Sequence, residues 1–310
     1  MCIRDRAYPI IERFLFNSKR PLNRNLHMTI LRSVLYMPGI NQKAMDKALN
    51  LDCDAVVLDL EDAVEVSKKE DSRQLVIRQI ENNDYGPRVV VVRVNDLGTK
   101  WGEQDVAAVA NLPIQAILVP KVSEIRDISR VVDLLNRLGS ELPIWIMVET
   151  PLAIININEL ARQPRVTALV MGTSDLVVDL CAEHLEERQN ISYALQRSII
   201  AARAFGKKIL DGVHLDFRDL DSLRNVCRLG KSMGFDGKTL IHPDQIPVAN
   251  DAFSPSEAEL DKAKRVIDAW RSAQTRGSGV VEVDGTLVES LHVEEAKRLI
   301  SFFSEISERA

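Results

Sequence analysis

The chain has 310 residues, of which 45% are hydrophobic, and its formal net charge is -5. This length and hydrophobic content allow a large core and fit one barrel-sized domain with an appendage, which excludes an intrinsically disordered protein. The modest negative charge, without any stripe of interleaved basic and aromatic residues, argues against nucleic acid as a partner.

The sequence carries no pattern typical of a membrane span, a disulfide framework or a zinc site. No apolar run reaches the roughly 18 residues that a membrane span requires, so no membrane partner is expected. The four cysteines, Cys2, Cys53, Cys181 and Cys227, form no CxxC pair, which argues against a zinc site or a disulfide framework. This cysteine usage favours a reducing compartment, the cytoplasm.

The first 27 residues contain six basic and two acidic residues and no sustained hydrophobic period. We expect them to lie outside the fold, ahead of a barrel domain over residues 28–253 and an appendage over residues 254–310. Two interpretations are open. One is an organellar presequence, which would place the protein in the mitochondrial matrix. The other, which we favour, is a start assigned too early, with Met28 as the native first residue.

From residue 31 onward, short β-rich runs alternate with helical periods, as in βα units around a parallel sheet. Eight strands are predicted, at residues 33–37, 55–60, 89–94, 116–119, 144–148, 168–171, 208–211 and 237–240. Seven helices are predicted, at residues 42–50, 67–81, 104–111, 125–138, 153–161, 193–205 and 219–233. A (β/α)₈ TIM barrel is the simplest closure. The alternative, an open doubly wound sheet, lacks a GxGxxG motif after its first strand.

Beyond the barrel, the sequence predicts a small helix-hairpin-helix appendage, with helices over about residues 256–274 and 292–307. Between them, Asp284-Gly285 separates two short apolar runs, a pattern typical of a β-hairpin. Roughly fifty residues cannot bury a core alone. We therefore expect the appendage to pack on its own barrel or on a neighbouring one.

Two apolar runs about one βα repeat apart are each followed by an acid, Glu149 after residues 144–148 and Asp175 after residues 168–171. In a barrel both acids would lie at the carboxyl ends of neighbouring strands, where such folds carry their active sites. Two hard oxygen ligands there would suit Mg²⁺ and an anionic substrate. The alternative is structural: Glu149 in a salt bridge at the rim and Asp175 as a helix N-cap.

Further charged residues follow other strands. Asp59, Glu61 and Asp62 would repel Glu149 and Asp175 unless a divalent cation, or the side chains of Arg93 and Lys121, compensated their charge. Arg93 could clamp a carboxylate with its two-pronged guanidinium, or only pair with these acids. His242 is interpreted as a general base or a structural hydrogen-bonding residue. Arg73 and residues 68–70 lie at polar helix positions and are expected to be solvated.

In these same motifs the chain resembles the citrate lyase β-subunit-like proteins of the HpcH/HpaI aldolase group, over residues 31–299. The resemblance rests on Pro38-Gly39, Asp59-Leu60-Glu61-Asp62, Val92-Arg93-Val94-Asn95, Pro120-Lys121-Val122, Glu149-Thr150-Pro151-Leu152, Gly172-Thr173-x-Asp175-Leu176, Leu215-Asp216-Phe217-Arg218-Asp219 and Ile241-His242-Pro243. It implies a Mg²⁺-dependent TIM barrel, a homotrimer or a dimer of trimers, that makes or breaks a carbon-carbon bond in a malyl-CoA-type or citramalyl-CoA-type thioester.

The resemblance also implies roles for single residues. Glu149 and Asp175 would bind the metal, Arg93 would bind the keto acid, and Glu61 and Asp62 would hold metal-bound waters. The acyl-CoA would contact Tyr36, Lys43, Ile241 and His242, with Lys47 as a second candidate for the phosphates. In the family the general acid/base, usually Asp, comes from the C-terminal hairpin of an adjacent subunit. This chain has Glu289 there, a departure that bears on rate and substrate.

The function predicted from these motifs is a lyase that cleaves a 3-hydroxyacyl-CoA to acetyl-CoA and a 2-keto acid. Two alternatives are open. The first is the β subunit of a citrate lyase complex that acts on an acyl-carrier thioester. It is disfavoured by Ile241-His242-Pro243-Asp244-Gln245, which resembles the stand-alone CoA enzymes. The second is a CoA- and metal-binding protein without turnover, which only Glu289 favours.

Overall fold

Eight parallel strands close into a barrel in the computed structural model, which describes residues 30–185 and 187–309. The strands run in chain order around the barrel, and β1 pairs with both β2 and β8. They are β1 (Ser33–Pro38), β2 (Ala55–Asp59), β3 (Val89–Arg93), β4 (Ala116–Val119), β5 (Ile144–Val148), β6 (Val166–Met171), β7 (Lys208–Asp211) and β8 (Gly237–Leu240). The predicted (β/α)₈ barrel is confirmed.

Helices cover the outside of the barrel and return the chain to the start of the next strand. They are α1 (Gln42–Ala48), α2 (Lys69–Asn82), α3 (Gly102–Val109), α4 (Ile125–Arg137), α5 (Pro151–Arg162), α6 (Thr173–Asp179), α7 (Ser192–Ala204), α8 (Leu220–Met233) and α9 (Ile246–Phe253). Helices α6 and α9 were not predicted. Each is only seven or eight residues long, too short to give a helical hydrophobic period that can be recognised in the sequence.

Each strand is buried on both faces, which explains its nearly unbroken apolar sequence. Along β2, Ala55 and Val57 belong to an inner cluster that fills the barrel, and Val56 and Leu58 belong to the outer cluster under the helices. This alternation follows the two-residue period of a strand. The barrel is therefore a packed core with its open polar end at the carboxyl ends of the strands.

Helix α10 (Glu257–Thr275), the antiparallel strands β9 (Val281–Val283) and β10 (Thr286–Val288), and helix α11 (Ser290–Arg309) form the predicted appendage. Asp284 and Gly285 make the hairpin turn with φ of 51° and 76°, the left-handed values of a type I′ turn. The appendage has a small apolar cluster of its own, which includes Val266, Val283 and Val293. Its packing is thus more self-contained than the sequence suggested, because the hairpin closes one end of the α10–α11 pair.

The appendage leaves the barrel at the amino-terminal face, opposite the open polar end. Lys231, near the end of α8, lies 3.4 Å from Glu259 on α10, and Arg32, just before β1, donates to Ser254 at 3.0 Å. On α11, burial raises the pKa of Glu305, and the charges of Arg309 and of Lys208 at the start of β7 oppose that shift. Both helices of the appendage therefore approach the bottom of the barrel.

The segment over residues 1–27, predicted to lie outside the fold, falls outside the described residues. In the part of the chain that the structure describes, no helix is long and apolar enough to cross a membrane.

Candidate active site

A cavity of about 340 Å³ opens at the carboxyl end of the barrel. Its lining joins residues that are far apart in the sequence because the ends of parallel strands meet at one face of a barrel. The charged and polar side chains around it include most of the residues singled out by their position after a strand. Its lining includes Tyr36, Asp59, Arg93, Met147, Glu149 and Asp175.

Arg93 is buried at the end of β3, and Asp59, at the end of β2, holds two of its nitrogens. Nε donates to Oδ1 at 2.7 Å and Nη2 donates to Oδ2 at 2.6 Å. The third nitrogen, Nη1, lies 2.9 Å from Glu61 and 3.3 Å from Asp62. The forked edge predicted to clamp a substrate is therefore occupied by Asp59, and a ligand carboxylate has access only to the Nη1 and Nη2 edge.

Asp59 received no role from the sequence, although it organises this side of the cavity. Besides Arg93, it accepts hydrogen bonds from the backbone nitrogens of Glu61 and Ala63, at 2.9 and 3.1 Å. The side chain is 1% exposed and fully paired. Asp59 therefore fixes both the guanidinium of Arg93 and the loop that carries Glu61 and Asp62.

Two side chains expected to be solvated are in fact buried behind that loop. Lys69 donates to the backbone carbonyls of Leu60 and Glu61 at 2.9 and 2.7 Å, and Arg73 pairs with Asp105 at 2.6 Å. The prediction was wrong because the end of β2 and helix α3 cover this face of α2. No local periodicity signals such partners, and Asp105 lies 32 residues from Arg73 in the sequence.

Glu61 is a buried carboxyl group with an incompletely satisfied oxygen. Its Oε2 lies close to Arg93 but without hydrogen-bond alignment, since the guanidinium is aligned on Asp59. Burial raises the pKa of Glu61 to about 8, and Arg93 opposes that shift. Glu61 and Asp62, the residues assigned to metal-bound waters, share the Nη1 side of Arg93 in this structure.

Glu149 follows β5 directly and is 2% exposed. Its Oε1 accepts a hydrogen bond from the backbone nitrogen of Lys121 at 2.7 Å. The next residue, Thr150, caps α5 by accepting from the nitrogen of Ala153 at 3.1 Å, and Pro151 occupies the first helical turn. The capped helix and the Lys121 amide hold the carboxylate at the cavity wall. The salt bridge given as the alternative role of Glu149 is also present, with the side chain of Lys121.

Gly172, after β6, packs closely against the side chain of Glu149. A Cβ atom at this position would lie 2.6 Å from Glu149 Oε2 and 3.1 Å from Met147 Cε. Any side chain would therefore displace the carboxylate.

Asp175 lies in the first turn of α6, whose N-cap is Gly172. The interpretation of Asp175 as the N-cap is therefore wrong, because the helix begins two residues earlier, at Thr173. Its Oδ2 pairs with Lys121 Nζ, and the same ammonium group lies 3.8 Å from Glu149 Oε1. Lys121 thus brings a positive charge to both predicted metal ligands.

Glu149 and Asp175 fit a Mg²⁺ ion that takes its remaining ligands from water and substrate. No group of three or more His, Cys, Asp or Glu side chains able to hold a metal occurs in residues 30–185 and 187–309. Mg²⁺ is commonly held by one or two carboxylates with several waters. Burial raises the pKa of Glu149, and the charge of Lys121 only partly opposes that shift. A divalent cation would supply the missing charge compensation.

Tyr36 and Met147 form a neutral wall between Arg93 and Glu149. The hydroxyl of Tyr36 donates to Met147 Sδ at 3.4 Å, and Arg93 Cζ lies 4.9 Å from the centre of the Tyr36 ring. Burial raises the pKa of Tyr36, so the hydroxyl keeps its proton. Tyr36 therefore lies beside the guanidinium, deeper in the barrel than the other residues predicted to contact the acyl-CoA.

Ile241 and His242 lie at the outer rim of the barrel after β8. The His242 ring stacks on Phe217, with centroids 4.8 Å apart, and its Nδ1 accepts from the nitrogen of Asp244 at 3.2 Å. Lys43 and Lys47 are exposed on α1 and form no ion pair with any described residue. The sequence marked Phe217 only as part of a motif, and no signal in it predicts the stack on His242.

A second cavity, of about 310 Å³, shares Thr173, Ser174 and Val213 with the first. Behind it, Asp211 accepts from Arg188 through both oxygens, at 2.6 and 2.8 Å, and from Lys238 at 3.0 Å. This buried trio attaches the segment before α7 to β7 and β8. We assign it a structural role.

Glu289 lies in the appendage, between β10 and α11, and is exposed. Its backbone nitrogen donates to His292 Nδ1 at 3.0 Å. No hydrogen bond or ion pair links Glu289 to a barrel residue in the described part of the same chain. The structure of one chain thus assembles the predicted metal and keto-acid residues and leaves Glu289 outside the cavity.

Comparison with known proteins gives a consistent set of relatives. The HpcH/HpaI aldolase/citrate lyase family model matches residues 32–243. A (3S)-malyl-CoA thioesterase from Cereibacter sphaeroides is 45% identical over 270 residues, which cover 87% of this chain and 93% of that protein. Mitochondrial citramalyl-CoA lyase from Homo sapiens is 30% identical over 295 residues, with 90% and 87% covered. Protein CitE from Mycobacterium tuberculosis, solved with magnesium, acetoacetate and coenzyme A, has a TM-score of 0.75 at 27% identity, with 88% and 97% covered.

Proposed function

This chain belongs to the HpcH/HpaI aldolase/citrate lyase family and is an enzyme of the carbon-carbon lyase class, and from that premise we propose its reaction. The substrate is a 3-hydroxyacyl-CoA of the malyl-CoA or citramalyl-CoA type, and the products are acetyl-CoA and a 2-keto acid. The reaction depends on Mg²⁺. One observation carries the proposal: Glu149, Asp175 and Arg93 line a single cavity of about 340 Å³ at the end of the barrel.

These three residues divide the recognition of the substrate. Arg93 presents its Nη1 and Nη2 edge to the carboxylate of the keto-acid portion. The guanidinium is planar and rigid, so it binds a carboxylate selectively. Glu149 and Asp175 would hold Mg²⁺, with Glu61 and Asp62 contacting its waters. When bound, the ion would stabilise negative charge on the oxygen of the forming carbonyl.

The reaction itself requires that a proton leave the 3-hydroxyl oxygen and that a proton be delivered to C2. The 3-hydroxyl loses its proton, the bond between C2 and C3 breaks, C3 becomes a carbonyl carbon, and C2 carries the enolate electrons. The proton balance closes when C2 is protonated to the methyl group of acetyl-CoA. We assign this acid/base role to Glu289 of an adjacent subunit, in a homotrimer or a dimer of trimers.

The acyl-CoA leaves the cavity over the rim formed by Ile241 and His242. Lys43 and Lys47, four residues apart on α1, present on one helix face two cations that pair with no described residue, which suits the phosphates of CoA. Tyr36 lies at the inner end of this path, beside Arg93.

A second candidate function is hydrolysis of the same thioester, to CoA and malate. It is favoured by the 45% identity with a (3S)-malyl-CoA thioesterase. In that reaction water attacks the thioester carbonyl, and the bond between C2 and C3 stays intact. A citrate lyase subunit and a CoA-binding protein without turnover are the other two alternatives.

Product analysis distinguishes these functions. Purified protein is incubated with (3S)-malyl-CoA or citramalyl-CoA and Mg²⁺, and the products are identified by mass spectrometry. We expect acetyl-CoA with glyoxylate or pyruvate, no turnover in EDTA, and at least about a hundredfold lower rate for Asp175→Ala, the scale of losing one electrostatic stabiliser. Free CoA with intact malate would establish hydrolysis instead. No product from either thioester would overturn the proposal.

A further inference from the structure

Lys121, two residues after the end of β4, has a backbone conformation that residues with a side chain rarely adopt. Its φ is 55°, in the left-handed region, where non-glycine residues are uncommon and are concentrated at functional sites. This conformation directs the amide N–H of Lys121 to Glu149 Oε1, at 2.7 Å. The local strain is thus coupled to the orientation of a proposed metal ligand.

The side chain of Lys121 contacts the other proposed ligand. Its ammonium group donates to Asp175 Oδ2 and lies 3.8 Å from Glu149 Oε1. No other residue in 30–185 or 187–309 forms an ion pair with Glu149 or Asp175. Lys121 therefore connects β4, β5 and α6 at the point where the two acids face the cavity.

We propose that Lys121 is a positioning residue with two separable functions at the cation site. Its amide orients Glu149, and its ammonium group neutralises Glu149 and Asp175 in the absence of metal and competes with a divalent cation for Asp175. The inference rests on the proposed function in one respect, the assignment of Glu149 and Asp175 as metal ligands.

Electrostatics gives the direction of the effect. A fixed positive charge about 4 Å from a carboxylate attracts it more strongly near a protein than in bulk water. A divalent cation that binds between Glu149 and Asp175 must replace the ion pair of Lys121 with Asp175, and the nearby ammonium group repels it. Removing the ammonium group while keeping the amide is therefore expected to tighten metal binding on the order of tenfold.

The experiment is a calorimetric titration of metal-free protein with Mg²⁺ and with Mn²⁺, in the absence of any thioester. Lys121→Met removes the charge and keeps the amide, and Lys121→Gly also releases the left-handed strain. Lys121→Arg keeps the charge. Lys262→Met is the matched control, because it removes an exposed lysine on α10 of the appendage, which approaches the opposite end of the barrel.

We expect about tenfold tighter metal binding for Lys121→Met and Lys121→Gly, and wild-type affinity for Lys121→Arg and Lys262→Met. The thermal midpoint in EDTA is expected to fall for Lys121→Met and to recover with Mg²⁺. Lys121→Gln is measured by the same criteria if Lys121→Met does not fold in EDTA. Equal or weaker metal binding in the uncharged variants would overturn the proposal. Because no thioester is present, this result is independent of the products that the enzyme forms.

Discussion

Several charged side chains are buried at the carboxyl end of the barrel, although a stable core does not require buried charges. Asp59, Arg93 and Glu149 are each less than a tenth exposed, and burying charges is unfavourable unless they are paired. Asp59 and Arg93 satisfy each other, whereas Glu61 and Glu149 are compensated only in part. Perturbed carboxyl groups that converge on a cavity are typical of functional sites.

The first prediction concerns the two hydrogen bonds that Arg93 donates to Asp59. Arg93→Lys keeps the charge and loses the paired hydrogen bonds, so we expect the free energy of unfolding to fall by about 2–3 kcal/mol. Binding of glyoxylate and pyruvate should weaken, while acetyl-CoA binding holds. Urea denaturation and calorimetry measure these effects, with Arg126→Lys, in an exposed pair with Glu124, as the control. Unchanged keto-acid binding would restrict Arg93 to a structural role.

Glu61 gives a prediction on pH. Burial, opposed by Arg93, raises its pKa from 4.5 to about 8, so the folded protein holds a proton that the unfolded chain has released. The free energy of unfolding should therefore fall as pH rises between those two values. Glu61→Gln should make this fall shallower in urea denaturation series recorded in EDTA. The exposed Glu141→Gln is the control, and identical slopes for wild type and Glu61→Gln would contradict the pKa.

At the scale of elements, the site depends on how closely the ends of β5 and β6 approach each other. The nitrogen of Gly172 donates to the carbonyl of Val148 at 3.0 Å, so the ends of the two strands stay paired. This pairing brings the backbone of Gly172 against the Glu149 side chain. The distance between the two strands therefore sets the position of the carboxylate.

Gly172→Ala tests this close approach. The added Cβ would lie 2.6 Å from Glu149 Oε2, and relief of such overpacking typically costs about 1–3 kcal/mol. We expect a lower free energy of unfolding and weaker Mg²⁺ binding by calorimetry. Gly279→Ala is the matched control, since no atom lies within 4 Å of its Cβ position. Wild-type metal affinity in Gly172→Ala would show that Glu149 does not need this packing.

At the scale of the whole molecule, the appendage and the cavity lie at opposite ends of the barrel. The appendage joins the barrel at the amino-terminal face, through Lys231 and Glu259, whereas the cavity opens at the carboxyl ends of the strands. The hairpin leaves Leu287 and Leu291, on either side of Glu289, 58% and 60% exposed. An apolar surface beside a predicted acid/base is what an intersubunit role of Glu289 requires.

Mixed oligomers test the intersubunit site. Glu289→Gln protomers keep an intact barrel, and Asp175→Ala protomers keep an intact hairpin. Random hybrids should regain about a quarter of wild-type activity, because half of the barrels and half of the neighbouring hairpins are intact. Activity is measured after unfolding and refolding the mixture together, with each variant refolded alone as the control. No recovery in hybrids verified by mass would argue for a site within one chain.

The barrel, its strand order and the acids at the strand ends could all be predicted from the amino-acid sequence. Strands buried on both faces produce continuous apolar runs, and a parallel sheet brings the residues that follow those runs to one face. Both are local or periodic properties, visible without the tertiary structure. The predicted convergence of Glu149, Asp175 and Arg93 followed from them.

The pairing of the charged side chains could not be predicted, because it depends on how the chain folds. Asp59 accepts the paired hydrogen bonds of the Arg93 guanidinium. The side chains of Lys69 and Arg73 are buried. Lys121 links Glu149 to Asp175, and Phe217 stacks on His242. Apart from the carbonyls that bind Lys69, each of these partners lies 25 or more residues away along the chain. The physical reason is that burial and pairing depend on contacts across the sheet, which hydrophobic periodicity does not encode.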